Sequence, residues 1–164
     1  MTTKTDYTSE EWEQLLEAPM SIAMYIAVAG PSVFGSIKEA MSVAKNIAKK
    51  SQEANTELLS ALLADFQDKE SAKLAKPEFE SKDPASIKKE ILDELNAVVT
   101  ILNDKATPEE SAEVKAWLYQ VGVDVANASK EGGFLGIGAV RVSDAEKAAL
   151  GEIASALGVE TESE

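Results

Sequence analysis

The 164-residue chain contains no cysteine and no histidine. Those two absences remove disulfides, thiolate and imidazole metal sites, thiol and serine–histidine nucleophiles, and imidazole acid–base chemistry. Catalysis would have to run through carboxylates, lysine, tyrosine or serine alone, and no catalytic residue is marked by its neighbours. Arginine occurs once, at Arg141, and lysine supplies the rest of 16 bases against 29 acids, for a net charge of −13. Nucleic-acid binders need cations that displace phosphate counterions and arginine forks that read bases. This composition argues against nucleic acid as a partner.

Aromatic residues make up only 5% of the chain, and long apolar runs are missing. The strongest run, residues 22–29, falls far short of the roughly 20 residues that cross a bilayer. The opening stretch, MTTKTDYTSEEWEQLLE, carries acids where an export signal has a basic start and an apolar core. The expected location is therefore cytoplasmic, with no transmembrane segment.

What the chain does have is an apolar fraction of 45%, dominated by Ala, Leu, Ile and Val, with abundant Glu and Lys. A chain of this length buries roughly 70% of its unfolded surface, and these residues favour helix. The expectation is a single domain over residues 1–159 with an acidic, disordered tail at 160–164. Its fold class is all-α: a compact bundle of five to seven helices without a significant sheet.

Helix boundaries are written into the sequence. Thr8 with Glu11 forms a capping box, with Tyr7 placed to pack on Trp12 as a hydrophobic staple. Pro19 marks an expected boundary, followed by PMSIAMYIAVA, which is uncharged and belongs in the centre of a bundle. Gly30-Pro31 breaks that segment. Ser36 with Glu39 opens a second helix, whose apolar positions Ile37, Met41, Ala44 and Ala48 recur at helical spacing. ELLSALLADF continues the helical pattern after a bend near Ser51, and the polar residues 67–83 read as a connector or a frayed helix end. Asp83-Pro84 and Thr107-Pro108 each pair a cap with a first-turn proline. The first of these helices carries the stripe Ile87, Ile91, Leu95, Val98 and Leu102; the second runs to about Ser129 through Trp117 and Val121. Ser143 with Glu146 opens the last helix, and Gly158 is placed to end it.

The segment between the last two helices, KEGGFLGIGAVRV, is the least helical. It matches neither the phosphate loop, which needs Lys and Ser or Thr after its last glycine, nor the dinucleotide fingerprint, which needs a preceding strand. Residues 139–142 are the one short strand candidate. Two uses remain for Phe134, Leu135 and Ile137: a satellite core tucked under the loop, or an apolar tip that docks a protein partner or a second copy of the chain. The 29 acids show no EF-hand spacing and no marked carboxylate pair. Lys38, Lys45, Lys49 and Lys50 form the one basic segment, a place where an acidic partner could bind.

Two stretches share an order of signals: an Ala-rich helix, a glycine break with Phe, then Ser-x-x-Glu and another Ala-rich helix. The second, residues 122–158, with VANASKEGG and VSDAEKAALGEIASALGV, resembles the helix–loop–helix unit of TerB-like (tellurite-resistance-B-like) proteins. Lys130-Glu131-Gly132 stands where that family has Ala-Asp-Gly. The resemblance implies a small cytoplasmic helical protein in a stress-response context that binds divalent metal ions and has no established enzymatic activity. It would place the ion near Glu131, Asp144 and Glu146, with Glu39 contributing from the first repeat. The leading expectation is a non-catalytic binding or scaffold protein that needs no cofactor. It would dock or self-associate through the apolar loop 132–142 by Phe134, Leu135 and Ile137. The TerB-like, metal-binding reading is the alternative.

Overall fold

A computed structural model describes residues 1–30, 36–130 and 142–161. Over these residues the chain forms a 3₁₀ turn, Lys4–Asp6, and seven α-helices with no strand. The helices are α1 (Ser9–Ala29), α2 (Ser36–Lys50), α3 (Glu57–Gln67), α4 (Ser71–Leu74), α5 (Pro84–Lys105), α6 (Pro108–Lys130) and α7 (Asp144–Leu157). The expected all-α class holds. The strand candidate at 139–142 lies outside the described residues except for Val142, which packs on the core.

Capping chemistry places the helix starts where the sequence puts them. In α1 the Glu11 N–H donates to Thr8 Oγ1 and the Thr8 N–H donates to Glu11 Oε2. The Tyr7 and Trp12 rings pack with centroids 5.6 Å apart, which fixes the entry of the chain. The Ser86 N–H donates to the Asp83 carboxylate at the head of α5. Thr107 and Glu110 exchange the same reciprocal pair at the head of α6, around the Pro108 that needs no donor. Glu110 is almost fully buried because it also accepts from the Thr2 N–H and hydroxyl, pinning the N-terminal segment to α6. Gly158 ends α7 at φ 67°, a left-handed cap that costs glycine nothing.

Pro19 does not end a helix, contrary to expectation. One helix of 21 residues runs straight through it. Proline inside a helix leaves the carbonyl of residue i−4, here Leu15, without its usual donor, a cost of roughly 3 kcal/mol in isolation. Burial offsets this, because Leu15, Leu16, Ala18, Pro19 and Ile22 all lie in the core, and each fully buried large aliphatic side chain contributes about 1.5–3 kcal/mol. Helix α1 touches each of the other six helices, so the uncharged segment sits at the centre of the bundle. Ser21 is fully buried there, while Met24 reaches the surface.

From Val43 on, helix α2 buries a different face from the one its alanine spacing predicts; the side chains of Ile37 and Met41 lie outside the described residues. Val43, Asn46 and Ile47 are buried, and Ala44 and Ala48 are exposed. The larger side chains gain more from burial than alanine does, and Asn46 has hydrogen-bond partners waiting on α6. A turn over residues 51–53 separates α2 from α3. The polar connector 68–83 contains the single turn α4, and its later part is strapped to α5 by the Glu80 and Ser81 N–H groups, which donate to Glu90. Gly122 on α6 lies where α1 and α7 converge. A Cβ there would fall 3.2 Å from both Ile22 Cγ2 and Leu150 Cδ2, so an added side chain would press on both neighbours. The tail beyond Thr161 lies outside the described residues.

Candidate functional site

Helices α2 and α6 lie side by side over a cleft of about 430 Å³. It is lined by a polar network that runs from the buried Asn46 and Trp117 to the half-buried Asp124 and the exposed Gln120. The Trp117 indole N–H donates to Asn46 Oδ1 at 2.9 Å, and Asn46 Nδ2 donates to Asp124 Oδ2. The Gln120 side-chain amide donates to the other Asp124 oxygen at 2.8 Å. A buried amide that both donates and accepts in this way fixes the register of two helices, because a slip would leave the buried indole N–H unpaired. The rim carries charge of both signs. Lys49 and Lys50 come from α2, Glu53 from the turn after it, and Glu113 from α6.

Glu113 is committed to structure as well. It accepts from the Asn55 N–H, the Asn55 side chain and the Thr56 N–H at 2.8–3.0 Å, and lies 3.9 Å from Lys50. Burial alone would raise its carboxyl. The hydrogen bonds from Thr56 and Asn55 outweigh burial and hold it below the usual range. Of the basic segment, Lys49 and Lys50 line one side of the cleft and face the acids Glu113 and Asp124 on α6, so the site is not a cationic patch; the side chain of Lys38 lies outside the described residues. Lys45 and Lys49 are exposed.

A second cluster joins α1, α5 and α7. The Tyr25 hydroxyl donates to Glu152, which is also paired with Lys88 at 3.1 Å, and the Lys88 ammonium sits 4.8 Å from the Tyr25 ring centre. Burial and the Glu152 partner push the Tyr25 hydroxyl up, so the proton stays on the phenol. The hydrogen bond from Tyr25, with Lys88 beside it, keeps Glu152 low and charged. One turn earlier on α1, Ser21 Oγ lies 2.9 Å from both oxygens of Glu94. Burial lifts the Glu94 carboxyl to about 7; the hydrogen bond from Ser21 opposes the lift, and the charge of Glu17 adds to it.

The residues singled out from sequence are only partly in view. Phe134, Leu135, Ile137 and Glu131 lie outside the described residues, as does the side chain of Glu39. Glu146 is buried at the head of α7, where its carboxylate accepts from the Ser143 N–H at 2.8 Å and the Glu146 N–H donates to Ser143 Oγ at 3.2 Å. Asp144 is exposed in the same first turn. Among the described residues no three acids group as metal ligands would.

Sequence reasoning did not find the Asn46–Trp117–Asp124 network or the Ser21–Glu94 pair. One signal existed for each: Ser21 is the lone polar residue in an uncharged segment, and Asn46 interrupts the lysine run between Lys45 and Lys49. Among the described residues, no helix is long and apolar enough to cross a membrane. The chain matches no family model, no curated protein and no solved structure.

Proposed function

We propose that the protein is a non-catalytic helical binding module that docks a protein partner, or a second copy of itself, through the apolar residues Phe134, Leu135 and Ile137. One observation carries this reading: the described helix ends that flank residues 31–35 and 131–141 lie at one end of the bundle. Asn46 meets Asp124 and Lys50 meets Glu113, so α2 and α6 run antiparallel and the start of α2 lies by the end of α6. At the same end α1 finishes against the start of α7, where a Cβ on Gly30 would lie 3.4 Å from Glu146 Oε1. The described helix ends that flank residues 31–35 and 131–141 therefore lie together there.

The structural use made of the carboxylates at helix ends and helix contacts is consistent with a binding role. Glu110, Glu113 and Glu146 serve helix caps, and Asp124 and Glu152 tie helices together. Among the described residues no buried side-chain polar atom lacks a hydrogen-bond partner.

The test is Phe134→Ser in the full chain, with association followed by native mass spectrometry and stability by urea unfolding. The expected result is loss of self-association or partner binding at nearly unchanged stability. A loss of about 2–4 kcal/mol, the cost of emptying a core position, with association unchanged would place Phe134 in a satellite core and end the docking reading.

A further inference from the structure

Ser21 and Glu94 face each other across the α1–α5 contact, and none of the described lysines forms an ion pair with Glu94. The charged surroundings are of one sign. Glu17 lies one turn before Ser21 on α1, and its own carboxyl is raised by burial and by the charges of Glu13 and of Glu78 from the connector before α5. On α5 itself Glu90 is held by the Glu80 and Ser81 N–H groups, and Lys89 is spent on Asp93. Lys88 and Glu152, where α7 meets α5, are paired with each other.

A serine hydroxyl has a single proton to donate. With Glu94 ionised, both carboxylate oxygens at 2.9 Å compete for that proton, next to the charge of Glu17. With Glu94 protonated, the pair closes into a ring of two hydrogen bonds. The carboxyl O–H donates to Ser21 Oγ, and the Ser21 hydroxyl donates to the carbonyl oxygen of Glu94. We propose that Ser21 and Glu94 form a protonation-dependent latch between α1 and α5, closed when Glu94 carries its proton and loosened when it is ionised.

The direction follows from linkage. The folded carboxyl sits at about 7, above its ordinary value of 4.5, so between those values the folded chain holds a proton that the unfolded chain has released. In the folded chain the latch opens as pH rises through about 7, and the stability it contributes is complete below about 4.5 and lost as pH rises through about 7. Its position on the central helix, which touches every other helix, lets a local loosening reach the rest of the bundle.

The test uses the full chain. The Glu94 side-chain carboxyl is titrated by ¹³C NMR, and amide protection factors, which divide out the intrinsic pH dependence of exchange, are measured at pH 6 and pH 8. Wild type, Glu94→Gln and Glu17→Gln are compared; glutamine can donate to and accept from Ser21 as the protonated acid does. The expected results are a wild-type midpoint near 7, a lower midpoint in Glu17→Gln, and a several-fold loss of protection around Ser21 and Glu94 at pH 8 that is absent in Glu94→Gln. A wild-type midpoint in the ordinary carboxylate range, or an equal loss of protection in Glu94→Gln, overturns the latch. Should Glu94→Gln not fold, the wild-type titration still decides.

Discussion

Replacing Gly122 and Gly151 by alanine, separately, measures whether α6 presses on α1 and α7 as this fold requires. Both glycines sit inside helices, where alanine is favoured over glycine by about 0.8–1 kcal/mol. A Cβ at Gly151 would meet nothing within 4 Å. Gly151→Ala is therefore expected to stabilise by about 1 kcal/mol, a Tm rise of about 2–4 °C for a chain of this size. At Gly122 the added carbon would lie 3.2 Å from Ile22 Cγ2, 3.2 Å from Leu150 Cδ2 and 3.8 Å from Ile153 Cδ1, whereas carbon contacts are most favourable at about 3.5–4.0 Å.

The neighbours differ in their freedom to yield. Leu150 is half-buried and can rotate away, but Ile22 is fully buried on the central helix and has nowhere to go. Overpacking of this kind costs about 1–3 kcal/mol. Subtracting the helix gain leaves Gly122→Ala between neutral and about 2 kcal/mol destabilising. Gly122→Val, with two more methyl groups and poorer helix propensity, should be worse. Equilibrium urea unfolding followed by far-ultraviolet circular dichroism reads the difference directly, provided the m-value stays constant. If Gly122→Ala stabilises as much as Gly151→Ala, helices α1, α6 and α7 do not meet at that point and the packing described above is wrong.

Asn46→Ala strands the buried Trp117 indole N–H and leaves Asp124 with Gln120 as its partner, so a loss of about 1–3 kcal/mol is expected from urea unfolding, with a change in tryptophan emission as Trp117 loses its acceptor. Glu113 has a depressed carboxyl in the fold, so its contribution is present above the unfolded value near 4.5 and disappears as pH falls below it. Glu113→Gln should therefore weaken the protein at pH 6 and flatten its stability loss between pH 5 and pH 3, as read from urea midpoints. On the metal-binding reading, Mg²⁺ or Ca²⁺ raises Tm with ion concentration, and Glu146→Gln removes the rise. No response to either ion leaves Glu146 as the cap of α7 alone.

The sequence by itself determined where nearly every helix begins. A capping box, an Asp-Pro or Thr-Pro start and a glycine stop are decided within four residues, so Thr8 with Glu11, Asp83-Pro84, Ser143 with Glu146, and Gly158 were legible without a fold. The helical stripe of α5 was legible for the same reason, and Ile91, Leu95, Val98 and Leu102 are all fully buried. Only the tertiary structure decided what a local rule leaves open or gets wrong. Helix α1 continues through Pro19 because the surrounding core holds both halves in line. Helix α2 turns Val43, Asn46 and Ile47 inward because α6 offers Trp117 and Asp124 to Asn46, a choice that alanine spacing cannot reveal. The polar pairs that define the candidate sites join residues 73, 78 and 127 positions apart: Ser21 with Glu94, Asn46 with Asp124, and Tyr25 with Glu152. Capping acts through a backbone that is already adjacent, whereas these pairs exist only once separate helices have been brought together by burying their apolar faces.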